Sequence, residues 1–142
     1  MIKKICLILT LVFSFTIIAC SSDEPEVEYP KTYNIVDVTA GRVTDDGVVM
    51  TLETDGFGGT MEVEVTINNS EIVNIEVINH SESDGYGKDL IEDGNFIQLL
   101  IDEDDDLDSI DIIDASAGST LTGEALLDIA KTALEHYEDD YK

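Results

Sequence analysis

From Thr60 to Ile67 the chain alternates strictly, with Met61, Val63, Val65 and Ile67 apolar and Thr60, Glu62, Glu64 and Thr66 polar. A period of two is that of a strand with one buried face. The tripeptide "NNS" turns the chain, and "EIVNIEVI" follows with Val73, Ile75 and Val77 predicted on the buried side, which completes a hairpin. Two more strands are predicted upstream, in "YNIVDVTA" and "GVVMTLE", separated by "GRVTDDG", and the glycine-rich "TDGFGG" leads into the hairpin. From Gly123 the period becomes helical, placing Leu126, Ile129, Ala130, Ala133, Leu134 and Tyr137 on one stripe. Between these regions "KDLIEDGNFIQLLI" predicts a short helix with Phe96, Leu99 and Leu100 inward, and "LDSIDIID" a short strand or extended segment. Strands first and a helix last predict an α+β fold, an antiparallel sheet packed against a C-terminal helix.

The first nineteen residues break this pattern. Lys3 and Lys4 precede the apolar run "ICLILTLVFSFTII", too short and wrongly flanked to span a bilayer, and the small Ala19 stands before Cys20. This is the layout of a signal peptide over residues 1–19. Its ending, "IIAC", resembles the lipobox of bacterial lipoproteins, which implies that the Cys20 thiol is acylated and becomes the first mature residue. Plain secretory cleavage is the alternative. Cys6 leaves with the leader and Cys20 is taken by the lipid, so disulfides, thiolate metal sites and cysteine nucleophiles are excluded from the mature domain. Residues 20–31, polar, acidic and holding both prolines, read as a flexible tether, and 32–142 as one domain. The acidic stretch after Cys20 resembles the surface-export signals of some bacterial lipoproteins. The expected location is therefore the cell envelope, lipid-anchored at the outer membrane or cell surface.

Charge narrows the choice of partners. The chain of 142 residues has a formal net charge of −25, and losing the leader removes Lys3 and Lys4, leaving five cations against 32 acids, about −27. Such a field repels phosphate backbones and anionic lipid headgroups, which excludes nucleic acid as a partner. Apolar content is nevertheless ordinary and well patterned, as in a folded domain. The run "DEDDDLD" places Asp102, Asp104, Asp106 and Asp108 at the first, third, fifth and seventh positions of a calcium loop. Leu107 then replaces the required glycine and Ile113 the bidentate glutamate, so the run reads as a solvated acidic loop. His80 and His136 lack ligand spacing, and no nucleophile and base for hydrolysis can be paired. His136 reads as a surface residue near a helix C-terminus.

Two stretches carry the remaining chemistry. "NHSESDGYG" follows the second hairpin strand with His80, Glu82, Gly85, Tyr86 and Gly87, and "DASAGSTLT" leads from Asp114 into the last helix. In order and spacing these resemble the FMN-binding domain family, found in the peripheral flavin subunits of the sodium-pumping quinone reductase and Rnf complexes and in small exported lipoproteins. Those domains carry a glycine turn, a hairpin, an "HxETPGxG"-like loop and "D-x-x-S/T-G-A-T-x-T" before a helix. The resemblance covers about Asp55 to Leu134. It departs from the family at Ala117, Ser119 and Gly123, and "ESDG" stands for "ETPG".

The resemblance implies that Thr120 bears FMN through a phosphoester, made from FAD by a separate flavin transferase. Asp114, Gly118, Ser119 and Thr122 complete that motif. It also implies that the "NHSESDGYG" loop covers the isoalloxazine, with Glu82 and Gly85 near the ring and Tyr86 a neighbour for stacking; the place of His80 is left open. Residue chemistry agrees independently: a helix N-terminus offers unpaired N–H groups to a phosphate, and an ester removes the need for affinity in a chain almost without cations. Glu124 is discordant, a negative charge in that same turn. The simpler reading makes Thr120 or Thr122 an N-cap and the glycines of "NHSESDGYG" a turn. The function implied is an exported, membrane-tethered electron carrier rather than an enzyme that turns over a substrate. The alternative is a non-flavinylated surface lipoprotein using the same fold as a binding or structural module.

Overall fold

The computed structural model describes residues 36–142; the leader, Cys20 and the tether lie outside the described residues. Four antiparallel strands, β1 (Asp37–Thr44), β2 (Gly47–Asp55), β3 (Thr60–Asn68) and β4 (Glu71–Asn79), form a meander in the order β1-β2-β3-β4. Helices α1 (Gly87–Asp93), α2 (Asn95–Asp102), α3 (Ile112–Ala115) and α4 (Thr120–Asp140) follow, with a 3-10 turn at Leu107–Ser109. The fold is α+β, a four-stranded antiparallel sheet with the long C-terminal helix packed on it.

The alternation in β3 faces as predicted: Met61, Val63, Val65 and Ile67 are fully buried. They meet Leu126, Ile129, Ala130 and Ala133 of α4 together with Phe96 and Leu100 of α2, in one core. Removing any of the large members would leave a cavity and cost about 2–5 kcal/mol. Asn69 and Ser70, both at positive φ (53° and 69°), close the β3–β4 hairpin in two residues, the backbone that a tight hairpin turn requires.

Four expectations are corrected. In β4, Val73 is not inward: Thr66 pairs with Asn74 and Ile67 with Ile72, so Val73 is the extra residue of a bulge and Ile72 takes the buried place. The segment "GRVT", predicted as part of a loop, continues β1, and only Asp45 and Asp46 connect it to β2. The single helix predicted over 88–101 is two, because Gly94 takes a left-handed conformation (φ 71°) that ends α1 and redirects the chain into α2. Residues 107–114 form no strand, and only Ile110 and Asp111 are extended. Leu107–Ser109 form the 3-10 turn, and the Asp111 carboxyl caps α3 by accepting from the N–H groups of Ile113 (3.0 Å) and Asp114 (3.4 Å).

The acidic loop has partners within the fold. The Asp104 carboxyl accepts from the Ile72 N–H at 2.5 Å, and Asp108 pairs with Lys131. Among the described residues no three His, Cys, Asp or Glu side chains converge as a metal set, and no helix is long and apolar enough to cross a membrane.

Candidate functional site

The site begins in the glycine turn between β2 and β3. The Gly56 N–H donates to the Gly59 carbonyl at 2.9 Å, and the tight loop so formed presents Phe57, 65% exposed. Beneath it lies Glu82, only 7% exposed. Its Oε1 accepts from the Gly58 N–H at 3.1 Å and its Oε2 from the Thr122 hydroxyl at 2.9 Å, while its own N–H donates to His80 Nδ1 at 3.2 Å. One acid side chain thus ties together the β2–β3 turn, the loop after β4 and the first turn of α4. The approach is close enough that a Cβ on Gly87 would overlap both the Glu82 carboxyl and the Thr122 hydroxyl. This explains physically why glycine begins α1 in "GYG".

The approach to α4 is built by two successive residues at positive φ, Ala117 (50°) and Gly118 (93°). They reverse the chain after α3, and the Ser119 N–H donates to the Ser116 carbonyl at 2.9 Å. The helix then starts at Thr120, three residues before the predicted start at Gly123. Neither Thr120 nor Thr122 is the N-cap. That position is Ser119, whose side chain makes no capping hydrogen bond. The first intrahelical bond is from the Gly123 N–H to the Ser119 carbonyl, so the N–H groups of Thr120, Leu121 and Thr122 have no intrahelical acceptor. The earlier start also moves Glu124 out of the first turn, which holds no acid. The discordant charge is thereby displaced from the N–H groups.

Turn, loop and helix start enclose a cavity of about 470 Å³. Phe57, Tyr86 and Leu121 supply apolar surface, Gly87 and Gly118 bare backbone, and Ser119, Thr120 and Thr122 hydroxyls. Phe57, Tyr86 (63%) and Leu121 (45%) are unusually exposed for large apolar side chains, and all three meet at this one place. Positive charge is scarce. The described cations Arg42, Lys88, Lys131 and Lys142 are each paired with a carboxyl, and Lys88, adjacent to Gly87, is held by Asp84 at 2.6 Å. The Lys88 ammonium holds the Asp84 carboxyl below the usual carboxylate range by hydrogen bond and charge.

Five of the sequence-predicted residues therefore line one cavity: Tyr86, Gly118, Ser119, Thr120 and Thr122. Glu82 stands behind the wall and bonds to Thr122. Gly85, its N–H donating to the Asp89 carboxyl at 2.9 Å, lines a neighbouring cavity that shares Tyr86 and Ser119 with the first. Asp114 is exposed on α3 and lines a shallow depression with Leu99 and Glu103. Phe57 was missed. Its signal was an aromatic residue inside a four-residue glycine turn, where no core position exists for it.

Fold and cavity together define a small α+β module whose cavity holds aromatic surface, a helix N-terminus and three hydroxyl-bearing residues. Residues 56–135, more than half of the chain, match the FMN-binding domain family, and the chain belongs to it. No match was found among curated proteins or among solved structures. The cavity suits the group. Its volume falls in the range of small-molecule sites, roughly 300–1,000 Å³. The two aromatic side chains offer surface to a planar ring, and the free N–H groups of α4 suit a phosphate. This protein is a flavin-binding module.

Proposed function

We propose that this module transfers electrons outside the cytoplasm, held on the membrane by acylated Cys20 and carrying FMN esterified through its phosphate to Thr120 Oγ1. The observation that carries the reading is the position of Thr120, first residue of α4 and part of the wall of the cavity that Phe57 and Tyr86 border. A flavin transferase would form the ester from FAD. The Thr120 oxygen bonds to the FMN phosphorus, the pyrophosphate P–O bond breaks, AMP leaves and the hydroxyl proton passes to solvent.

When bound, the flavin supplies reversible one- and two-electron transfer. The chain's own part is to hold and orient it. The N–H groups of Thr120, Leu121 and Thr122 would donate to phosphate oxygens, where the helix dipole also favours negative charge. Phe57 and Tyr86 would cover apolar ring surface from water. Glu82 fixes the first turn of α4 against the β2–β3 loop, so that the Thr120 hydroxyl and the Phe57 ring keep their relation. Because each described cation is already paired, phosphate affinity would be low, and a covalent bond replaces affinity with permanence.

The test is co-expression of the full chain with a flavin transferase, followed by a denaturing gel viewed for flavin fluorescence. A fluorescent band at the protein's own mass is expected. A colourless band would favour the alternative, a non-flavinylated binding or structural module on the same fold.

A further inference from the structure

His80, whose place the sequence leaves open, follows β4 directly and is half-buried. Its Nδ1 accepts the Glu82 N–H at 3.2 Å. A ring nitrogen accepts only where it carries no proton, so this bond requires the neutral imidazole with its hydrogen on Nε2. Ser81 and Glu82 are in turn fitted against bare backbone on three sides. A Cβ on Gly56 would overlap the Glu82 carboxyl, one on Gly58 the Ser81 carbonyl, and one on Gly87 the Glu82 carboxyl again. Phe57 stands between the first two of these glycines, and Thr122, in the wall of the same cavity, donates to the Glu82 carboxyl. Packing this close leaves no room for the backbone at residue 82 to shift alone. Any shift there is passed to the turn that carries Phe57 and to the first turn of α4.

We propose that His80 is a positioning residue of the flavin cavity and that its protonation is a switch: the neutral ring holds Glu82 and the cavity wall in place, and the imidazolium releases them. Protonation places a hydrogen on Nδ1, opposed to the Glu82 N–H, so the bond is lost. Imidazole is the side chain whose charge changes between about pH 5 and 8. The Glu82 carboxyl has its own partners in Gly58 and Thr122, so the bond that the proton removes is the one at the backbone. The charged side chains on the segments that meet at this loop are Asp55 at the end of β2, Glu62 of β3 opposite Asn79, Asp84 before α1, Lys88 and Asp89 within it, and Glu124 of α4. Among the described residues no ion pair joins any of them to His80. That the switch acts on electron transfer rests on the flavin reading of the cavity.

The test is an NMR titration of the full chain in detergent, made without a flavin transferase, from about pH 8 to about pH 5.5. At the upper end the His80 ring should be the Nε2–H tautomer. As His80 titrates, the amide signals of Gly58, Glu82 and Thr122 should move with the same midpoint. His136, the other histidine of the chain, lies beside Asp140 on α4 and should titrate without moving them. His80→Asn keeps a side-chain acceptor two residues before the Glu82 N–H, as in an Asx-turn, but cannot be protonated. Its three amides should match wild type at pH 8 and stay in place on acidification. His80→Leu, which has no acceptor, should show the acid positions at every pH and exchange the Glu82 amide hydrogen about fivefold faster than wild type. An Nδ1–H tautomer, amides indifferent to the His80 midpoint, or a His80→Asn protein that behaves like His80→Leu would overturn the proposal. Because flavin is absent from this titration, its outcome is independent of whether Thr120 is modified. In the flavin-loaded chain, the midpoint potentials of wild type and His80→Asn should coincide at pH 8 and separate towards pH 5.5. A difference that is the same at every pH would overturn the role of His80 at the flavin.

Discussion

Thr122→Val separates the structural role of this threonine from the capping role that its sequence position invites. The substitution keeps β-branching and nearly the same volume, and valine and threonine have similar helix propensities, so the backbone itself is little affected. What is lost is the hydroxyl that donates to Glu82 Oε2 at 2.9 Å, between side chains 1% and 7% exposed. Orphaning a buried acceptor costs about 1–3 kcal/mol, and water has little access to replace the donor. A loss of about 2 kcal/mol corresponds to a fall in Tm of roughly 8 °C for a domain of this size. Thermal and urea unfolding followed by circular dichroism at fixed salt would measure it. A double-mutant cycle with Glu82→Leu isolates the pair, because the double variant should cost less than the sum of the singles by about 1–2 kcal/mol. A Thr122→Val protein within about 0.5 kcal/mol of wild type, or strict additivity in the cycle, would refute the claim that this bond ties α4 to the β2–β3 turn.

Three other outcomes follow from charge, tether and surface. Cys20→Ala should move the full chain from the detergent phase to the aqueous phase, because each acyl CH₂ contributes about 0.8 kcal/mol to membrane binding; unchanged partitioning would contradict lipidation there. The midpoint potential of the flavin-loaded protein should lie below that of free FMN and rise with salt, since reduction adds negative charge inside a field of net charge −25. A potential above free FMN, or one indifferent to salt, would show that local hydrogen bonds dominate. The Asp108 carboxyl lies below the usual range because the Lys131 ammonium bonds to it. A depressed acid stabilises above its unfolded pKa and loses that contribution as pH falls through the folded value. Lys131→Met should therefore raise the Asp108 midpoint in a carbon-detected NMR titration; no movement would show that the pair is not populated in solution.

Local periodicity revealed most of the sheet and the packing stripe of α4, since Met61 to Ile67 and Leu126 to Ala133 face the core as their spacing demands. It failed where one residue is inserted or one dihedral changes sign. The bulge at Val73 shifts the inward set to Ile72 and Ile75, and strict alternation has no means of anticipating an extra residue. Ile110 and Ile112 are spaced as on a strand, but Asp111 caps a short helix there instead. Thr120 to Thr122 look like a cap from sequence because Ser, Thr and Gly cluster before a helix. In the fold they are its first turn, and Thr122 turns inward to an acid forty residues away. Thr120 and Gly118, both singled out by the motif spacing, lie in one cavity wall. The spacing had no access to Phe57, which the β2–β3 turn carries to the same cavity.

The most direct measurement is the intact mass of wild type, Thr120→Val and Thr122→Val after co-expression with a competent flavin transferase. Valine at 120 keeps the shape of the first helical residue and removes the hydroxyl proposed to form the ester, so wild type should gain the mass of one FMN less one water and Thr120→Val should gain nothing while remaining folded. Thr122→Val, weaker in stability, should still carry the adduct. An adduct that survives in Thr120→Val, or a wild type that gains no mass, would contradict covalent attachment at Thr120.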